Sequence, residues 1–479
     1  MLFTENVFLP SRLRFSSKIA NNTLGQIELL DSSEAVGIEG YKFRGVKGWV
    51  IHRKSGDRIL VVPKPTAVNP YGSVLLVPGI TRVPYMDNDG TQKARWLYPK
   101  VRTITDIDEL VSISQKARDS WANAFSFKSE ERNGEEIIKP GMRVPQLGAL
   151  YASLAHWIVT SEIGTVVMPT GTGKTETMLA LLACERPKCL FVVVPTSALR
   201  DQIYKKFLTF GVLRKTGVIN SEVDLPVVGK VEHQFNNSDD AIQFLRSCNV
   251  AIATMAVVGG CSEEVQRAIA SECSHVFIDE AHHVSANTWN SFRELFHEQK
   301  KPVLQFTATP FRRDGKHLGG KSIFTYPLRK AQEEKYFTPI TFVSIWEYNR
   351  DTADLAIAKR GIQALEEDIK AGHDHILMAR ADNIERAKQI YSIYSALAPE
   401  FNPLIVHSNL PANEQTNAID KLRSRQSRVI VCVDMLGEGF DLPQLKIAAL
   451  HDIHKSLAVT IQFIGRFTRS AVGIGSATV

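Results

Sequence analysis

The sequence contains 479 residues, too many for a single ordinary hydrophobic core, and this length predicts about three domains. Hydrophobic residues account for 44% of the chain and charged residues for 23%, which excludes a disordered or fibrous protein. The formal net charge of +6 permits a polyanionic partner without requiring one.

The sequence predicts a soluble protein of a reducing compartment. The first residues have no apolar signal region, and no stretch approaches the roughly 20 apolar residues of a membrane span. The six cysteines form no Cys-x-x-Cys pair, and no histidines are paired at ligand spacing. We therefore expect a cytoplasmic protein with no structural zinc and no membrane contact.

Residues 1–138 are expected to form a small β-rich accessory domain of unknown role. Short β-prone runs at 47–52 and 58–62 alternate with Gly, Pro, Asn and Asp turns. A helical stretch near 106–124 and a polar linker at 128–136 follow. Aromatic residues in this part either stack on bases or, as is usual in short strands, belong to the core. They are Trp49, Tyr71, Tyr85, Trp96 and Tyr98.

Residues 139–338 show a regular alternation of strands and helices. Apolar runs predict strands at 165–168, 189–194, 250–254, 275–279 and 302–307. Helices are expected near 174–184, 197–207, 239–247, 262–272 and 286–298. Continuous apolar strands with interposed helices indicate a parallel sheet covered on both faces, and such sheets bind ligands at the carboxyl ends of their strands.

A glycine-punctuated turn, residues 168–175, follows the first of these strands and is called the phosphate turn below. Its glycines let the backbone fold back, and the helix that begins there adds its positive dipole end, which predicts phosphate binding. Lys174 would reach the β- and γ-phosphates of ATP, and the Thr175 hydroxyl would hold Mg²⁺. The general pattern has Gly where Met168 stands, and a surface turn with no ligand is the alternative.

Two further strand ends carry polar residues. Asp279 closes an apolar strand at the same sheet edge as Lys174, where it could hold Mg²⁺, and Glu280 could orient and deprotonate the attacking water. Thr307 and Thr309 leave the next strand and suit an element that couples the acidic pair to a neighbouring domain. Taken singly, each feature is also typical of an ordinary solvated strand exit.

Residues 339–479 repeat the alternation without a phosphate turn. They predict helices near 353–371, 382–396, 411–424 and 456–464, and strands at 375–379, 403–406, 428–433 and 446–450. Arg466 and Arg469 stand three apart at a helix end and could point across a cleft to the γ-phosphate, where a guanidinium is worth on the order of 10³ to 10⁵ in rate. The alternative is a solvated basic helix end.

These motifs, in this order, resemble those of the superfamily 2 helicases and translocases. The resemblance is to the DEAH-type branch, which includes restriction-enzyme motor subunits and DNA repair and antiviral defence helicases. It covers roughly residues 141–479 and rests on the phosphate turn, the Asp-Glu-Ala-His run at 279–282, the segment 433–443 and the Gln-x-x-Gly-Arg-x-x-Arg pattern at 462–469. It implies an α/β fold of two tandem RecA-like parallel-sheet domains, 139–338 and 339–479, preceded by the β-rich accessory domain.

The resemblance also implies a role for each matching residue. The catalytic set would be Lys174, Asp279, Glu280, Arg466 and Arg469. ATP would be bound by Gln146, Thr170, Gly171, Thr172, Gly173, Lys174 and Thr175 from the first domain and by Gly439 and Asp441 from the second. Mg²⁺ would be held by Thr175 and Asp279. Nucleic acid would be contacted by Thr196, Arg200, Thr254, His407 and Ser408, and the two domains would be coupled by Thr307, Thr309 and Gln462.

The sequence therefore predicts an ATP-dependent, Mg²⁺-dependent helicase or translocase that acts on DNA, either single-stranded or at a duplex junction. An RNA helicase of the same superfamily and a non-catalytic scaffold are the alternatives. The chain stops ten residues after Arg469, so the second domain is expected to be truncated. A protein partner would bind through residues 1–138 or through a missing carboxyl-terminal region.

Overall fold

The amino-terminal part of the chain is rich in β-structure. The computed structural model describes residues 9–30, 35–79, 94–133, 136–283, 286–310, 317–336, 340–407, 409–433, 442, 444–452, 467 and 476–479. The first elements are β1 (Arg12–Ile19), β2 (Asn22–Glu28), β3 (Ala35–Phe43), β4 (Val46–Arg53), β5 (Arg58–Val62), β6 (Val74–Leu76), β7 (Arg95–Tyr98), α1 (Ile107–Ser120), β8 (Glu131–Asn133) and β9 (Glu136–Lys139). Strands β3 to β7 form a five-stranded sheet in that order.

This five-stranded sheet has apolar side chains on both faces, because β6 and the four positions of β5 after Arg58 carry only β-branched and leucine residues. Trp49 and Trp96 pack against one apolar cluster, and Tyr71 and Tyr98 pack against the other. These four aromatic residues are therefore associated with the core. Tyr85 lies outside the described residues.

The middle of the chain forms the first parallel sheet and its covering helices. The elements are α2 (Val144–Val159), β10 (Gly164–Val167), α3 (Lys174–Glu185), β11 (Leu190–Val194), α4 (Ser197–Phe207), β12 (Val228–Val231), α5 (Ser238–Arg246), β13 (Val250–Thr254), α6 (Met255–Gly259), α7 (Glu263–Glu272), β14 (His275–Ile278), α8 (Ala286–Glu298), β15 (Val303–Thr307), β16 (Lys321–Thr325) and α9 (Leu328–Glu333). The sheet order is β1-β2-β12-β13-β11-β14-β15-β10-β16. The seven strands β10 to β16 are parallel to one another, and their carboxyl ends share one edge.

The hairpin β1–β2 extends this sheet, although the sequence assigned it to the accessory segment. Strand β2 pairs antiparallel with β12. Asn22 Oδ1 accepts hydrogen bonds from the amides of Glu232 at 2.7 Å and His233 at 2.8 Å. Gln26 Nε2 donates to the carbonyl of Leu225 at 2.6 Å. These bonds join residues about 200 positions apart, a pairing that no local pattern predicts.

Helix α1 also packs on the first parallel sheet. Trp121, which follows the helix, is 1% exposed and donates through Nε1 to the carbonyl of Asp224 at 2.8 Å. Asn249 Nδ2 donates to the carbonyl of Ser114 within the helix at 2.7 Å. Residues 12–28 and 107–121 thus contribute strands and core contacts to the nine-stranded sheet, while the domain boundary at 138 stays a prediction.

The last part of the chain forms a second, six-stranded parallel sheet. Its elements are β17 (Ile340–Thr341), α10 (Arg350–Lys370), β18 (Ile376–Ala381), α11 (Ile384–Leu397), β19 (Leu404–Val406), α12 (Ala412–Arg423), β20 (Val429–Val433), β21 (Leu445–Leu450) and β22 (Ala477–Thr478). The sheet order is β17-β22-β21-β18-β20-β19, with every pairing parallel. The two parallel sheets and the β-rich amino-terminal region confirm the predicted fold class.

A buried polar cluster ties three elements of the second sheet together at its carboxyl edge. Asp354 in α10 accepts from His451 Nδ1 at 3.0 Å, just beyond the end of β21. Arg386, near the start of α11, lies 2.8 Å from Asp354 and 3.3 Å from Asp452. Burial lowers the pKa of His451, which accepts from the Tyr394 hydroxyl at 3.2 Å. The start of α10 is therefore fixed beside the ends of β18 and β21.

None of the helices within the described residues is both long enough and apolar enough to cross a membrane. The predicted helix near 456–464 lies outside the described residues.

Candidate functional site

The phosphate turn links β10 to α3 at the carboxyl edge of the first sheet. Gly171 and Gly173 adopt φ of +90° and +100°, a region that side chains with a Cβ rarely enter. The amide and hydroxyl of Thr172 both donate to the carbonyl of Pro169, at 3.2 and 2.7 Å. Helix α3 starts after Gly173, and no described side chain caps its first turn. The free first-turn amides therefore suit an anion.

The start of α2 packs against this turn. Gln146 Oε1 accepts from the amide of Arg143 at 2.8 Å, and Arg143 Nη1 donates to the carbonyl of Gly171 at 3.0 Å. A Cβ built on Gly173 would lie 2.0 Å from Gln146 Nε2, and the φ of +100° is one that residues with a Cβ rarely adopt, so both features favour glycine there. The predicted adenine contact, Gln146, thus touches the phosphate turn itself.

Sequence reasoning assigned no role to Arg143 or Tyr336. Arg143 contacts the phosphate turn, and Tyr336 packs against Arg143. The Arg143 guanidinium lies over the Tyr336 ring, 5.4 Å from its centroid. The Tyr336 hydroxyl accepts from the amide of Val144 at 3.3 Å, and burial raises its pKa. Arg143 lies three residues before the predicted adenine contact Gln146. Tyr336 lies more than 190 residues away, and only the tertiary fold brings it here.

Lys174 and Glu280 meet at the carboxyl edge of the sheet. Lys174 Nζ lies 2.8 Å from Glu280 Oε1, with 8% and 11% of the two side chains exposed. Glu280 adopts φ of +48°, a strained value for a residue with a Cβ, and its amide donates to Asp279 Oδ1 at 3.0 Å. The acidic pair predicted to act with Lys174 is therefore beside it.

The buried ammonium group tests whether a phosphate fits the site. No acceptor among the described residues meets Lys174 Nζ with hydrogen-bond geometry, although Glu280 balances its charge. A buried ammonium donor without aligned acceptors is costly in isolation and is suited to phosphate oxygens. Thr170 and Thr175 are partly buried in the same turn. These residues fit a nucleotide phosphate chain, with Thr175 and Asp279 as the oxygen ligands for Mg²⁺.

His282 links the acidic pair to the end of β15 through one close contact and one hydrogen bond. His282 Nδ1 lies 3.5 Å from Glu280 Oε2 and 3.0 Å from Thr307 Oγ1. Thr307 Oγ1 donates its single proton to the carbonyl of Thr309 at 2.7 Å, so it must accept from His282. This fixes the proton of His282 on Nδ1. The Thr309 hydroxyl is buried and has no hydrogen-bond partner within the described part of the chain.

The residues predicted to contact nucleic acid occupy the ends of β11, β13 and β19, with different exposures. Thr196 is exposed and caps α4 by accepting from the amide of Leu199 at 3.3 Å. Thr254 is buried and caps α6. Arg200 is only 7% exposed, and its guanidinium donates to the carbonyl of Val231 at 3.1 Å and to Asp201. His407 is partly buried at the end of β19.

The structure thus brings together Gln146, the phosphate turn, the acidic pair, Thr307 at the end of β15 and Thr309 two residues beyond it. Other predicted site residues lie outside the described residues, and their roles stay predictions. They are Ser408, Gly439, Asp441, Gln462, Arg466 and Arg469.

The fold and the site together define an α/β protein of two tandem parallel sheets, with a phosphate-binding type of turn and an acidic pair at one sheet edge. Residues 139–312 match the family model of the type III restriction enzyme, res subunit. Residues 361–471 match the model of the helicase conserved C-terminal domain.

Several curated proteins are similar to this chain. It is 23% identical over 314 residues to a 51.5 kDa protein of a Lactococcus phage (isolate 7-9), which covers 61% of this chain and 60% of that protein. It is 22% identical over 359 residues to the DNA 3'-5' translocase XPB2 of Sulfurisphaera tokodaii, covering 64% and 74%. It is 22% identical over 320 residues to the ATP-dependent rRNA helicase RRP3 of Kluyveromyces lactis, covering 63% and 59%. The chain spans about 60% of the length of the phage protein.

Among solved structures, the ATP-dependent type ISP restriction-modification enzyme LlaBIII bound to DNA superposes with a TM-score of 0.51 at 16% identity. The match covers 93% of this chain and 35% of that one, and it concerns the fold. The two family models, together with the similarity to XPB2, support a superfamily 2 helicase.

Proposed function

We propose that this protein is a DNA-dependent ATPase of the DEAH type that unwinds or translocates along DNA, hydrolysing ATP between two RecA-like domains. The observation that carries the proposal is the buried contact of Lys174 with Glu280, 2.8 Å long, beside a phosphate turn with positive-φ glycines. A lysine and a carboxylate in this position can serve the two ends of one phosphoryl transfer.

The residues of the first sheet divide the work by chemistry. Lys174 would bind the β- and γ-phosphate oxygens once it exchanges Glu280 for them. Glu280, freed of its ion pair, would accept a proton from the attacking water. Bound Mg²⁺ neutralises phosphate charge, and Thr175 and Asp279 are the residues that would hold it. Gln146 would orient the base from α2.

His282 and Thr307 are suited to communicate the state of this site. His282 Nδ1 lies within 3.5 Å of both Glu280 and Thr307, so a shift of the carboxylate changes the hydrogen bonding at the end of β15. Thr309 Oγ1 would supply a donor at the same edge. Arg466 and Arg469 are proposed to stabilise the transition-state charge, with Gln462, Gly439 and Asp441 assisting from the second domain.

The experiment is steady-state ATP hydrolysis at low salt, alone and with single-stranded DNA, duplex DNA or RNA. Glu280→Gln should lower turnover about 10²- to 10⁴-fold, because general base catalysis contributes that much. Glu176→Gln is the matched control: Glu176 lies in α3, and its carboxylate pairs with Lys206 at 2.8 Å, whereas Lys174 pairs with Glu280. Normal turnover in a folded Glu280→Gln protein would refute the assignment.

The nucleic-acid dependence chooses between the named alternatives. Stimulation by DNA supports the proposal, whereas stimulation by RNA alone would favour an RNA helicase, consistent with the similarity to RRP3. Absence of hydrolysis under every condition would favour a non-catalytic scaffold.

We further propose a cytoplasmic location, contacts of Thr196, Thr254, His407 and Ser408 with the nucleic-acid backbone, and a protein partner bound through residues 1–138. Arg200 is proposed to support that surface from within, because its guanidinium is occupied by Val231 and Asp201.

A further inference from the structure

The segment 342–348, between β17 and α10, exposes large aromatic side chains. Phe342 is 65% exposed, Trp346 87% and Tyr348 98%. Scattered apolar residues are normal on protein surfaces, but three highly exposed aromatic side chains within seven residues are a concentration that suggests a binding surface. Aromatic rings that served only to fill a core would not lie in water.

The topology places this segment at the carboxyl edge of the second sheet. Strand β17 runs parallel to β22, and β22 runs parallel to β21, so the chain leaves β17 at the edge where β18, β20 and β21 also end. Helix α10 starts at Arg350, two residues after the segment. Its Asp354 Oδ1 lies 3.0 Å from Nδ1 of His451, which follows the end of β21, and this contact fixes the helix at that edge. This is the edge at which parallel α/β sheets bind their ligands.

The segment carries little charge of its own, a single carboxylate among seven residues. Its one acidic residue, Glu347, turns its carboxylate back to the chain, where Oε1 accepts from the amides of Tyr348 at 2.9 Å and Asn349 at 3.1 Å. The whole chain carries a formal net charge of +6. A surface that presents rings in place of charge is suited to the faces of bases, while phosphate contacts are made elsewhere.

We propose that Phe342, Trp346 and Tyr348 form a stacking surface for the unpaired bases of single-stranded nucleic acid. The inference rests on the proposed function and deepens it, because it names the form of the substrate that the second domain recognises. Stacking is tolerant of base identity, since every base has a π face, and so this surface suits a protein that moves along a strand of any sequence.

The first test is binding of an end-labelled single-stranded DNA oligomer, measured by fluorescence anisotropy at several salt concentrations. Trp346→Ala and Tyr348→Ala should each weaken binding roughly five- to 100-fold, the effect of losing one stacked base. The salt dependence should keep its slope, because no phosphate contact is removed. Blunt duplex should bind the variants as it binds the wild type, because its bases are already stacked on one another.

The high exposure of these side chains keeps the test clear of folding effects. Substitutions at exposed positions change stability little, so the melting temperature should stay within a degree or two. Phe43→Ala is the matched control: Phe43 is 52% exposed on the five-stranded amino-terminal sheet, and its loss should leave oligomer binding unchanged.

Tryptophan fluorescence supplies a second, independent readout. The chain has six tryptophans, and Trp346 is 87% exposed, whereas Trp121 is 1% exposed. The single strand should quench the emission of the wild type, and Trp346→Phe should abolish most of this quenching while keeping most of the affinity, because phenylalanine retains a stacking face. Quenching that persists in Trp346→Phe would overturn the proposal.

The remaining outcomes separate this inference from the proposed function. If the wild type binds the single strand and both alanine variants bind it equally well, the stacking surface is overturned while the proposed function stands. A wild type that binds no nucleic acid at low salt would overturn both. Self-association that Trp346→Ala abolishes, with oligomer binding unaffected, would overturn the proposal and assign the patch to contacts between copies of the chain.

Discussion

The Lys174–Glu280 ion pair allows a quantitative prediction for the nucleotide-free protein. At 2.8 Å and an effective dielectric constant of about 20, two unit charges attract by about 6 kcal/mol. Desolvation of two side chains that are 8% and 11% exposed offsets most of this gain. We expect a net coupling of about 2 kcal/mol between the two residues.

A double-mutant cycle with Lys174→Met and Glu280→Gln isolates this coupling from the other contacts of each side chain. Lys206 and Glu176 provide the reference cycle, because their Nζ–Oε1 distance is also 2.8 Å while the lysine side chain is 36% exposed. Solvent screening should hold that coupling below about 1 kcal/mol. The two cycles therefore differ in burial at equal distance.

The assay is native-state amide hydrogen exchange of β10 and β14, the strands that precede Lys174 and Glu280. Exchange reports local opening free energies, which avoids treating a chain with several cores as a single unfolding unit. A coupling for Lys174 and Glu280 no larger than that for Lys206 and Glu176 would refute the argument that burial strengthens the pair.

Three further predictions concern the phosphate turn, the hydrogen bond between His282 and Thr307, and the second sheet. Gly173→Ala should abolish nucleotide binding in a titration with a fluorescent ATP analogue, because its Cβ would lie 2.0 Å from Gln146 Nε2 at φ +100°; unchanged affinity would contradict the geometry of the turn. Thr307→Val should lower the opening free energy of β15 by about 1–3 kcal/mol, because His282 Nδ1 loses its acceptor, and an effect below about 0.5 kcal/mol would argue against that hydrogen bond. Burial lowers the pKa of Lys446, in β21, to about 8, whereas a lysine of the unfolded chain has a pKa of about 10.4. Between these two pH values the unfolded chain binds more protons than the folded one. The contribution of Lys446 to the free energy of unfolding therefore rises with pH over this range. Urea unfolding of wild type and Lys446→Met from pH 7 to 10 should show the wild type gaining relative to the variant, and parallel curves would exclude the shift.

The first sheet illustrates how much of this protein local sequence could predict. Strands such as Leu190–Val194 and Val250–Thr254 are short apolar runs rich in β-branched residues, and the helices between them have polar caps, so their bounds were predicted within a residue or two. Strand β12, which lies between β2 and β13, was missed because its four residues, interrupted by Gly229 and Lys230, give too short an apolar run.

The exposure of individual side chains was harder to predict than the elements that carry them. Arg200 follows a strand end in the same way as residues expected to touch nucleic acid, yet it is 7% exposed and donates to Val231, whose position depends on the fold of β12. The burial of a long charged side chain depends on which segments come to lie around it, and a sequence pattern reports only its near neighbours.

By itself, the sequence determined the α/β class, the parallel sheets and the phosphate turn, because apolar periodicity and glycine conformation act over a few residues. Only the tertiary structure decided that β1–β2 extends the first sheet, that Tyr336 packs against Arg143 and that Lys174 forms an ion pair with Glu280. It also decided that the aromatic residues of segment 342–348 face solvent while the tryptophans of the five-stranded sheet pack against its core. The physical reason is the same in each case: burial and pairing depend on contacts between residues far apart in the chain.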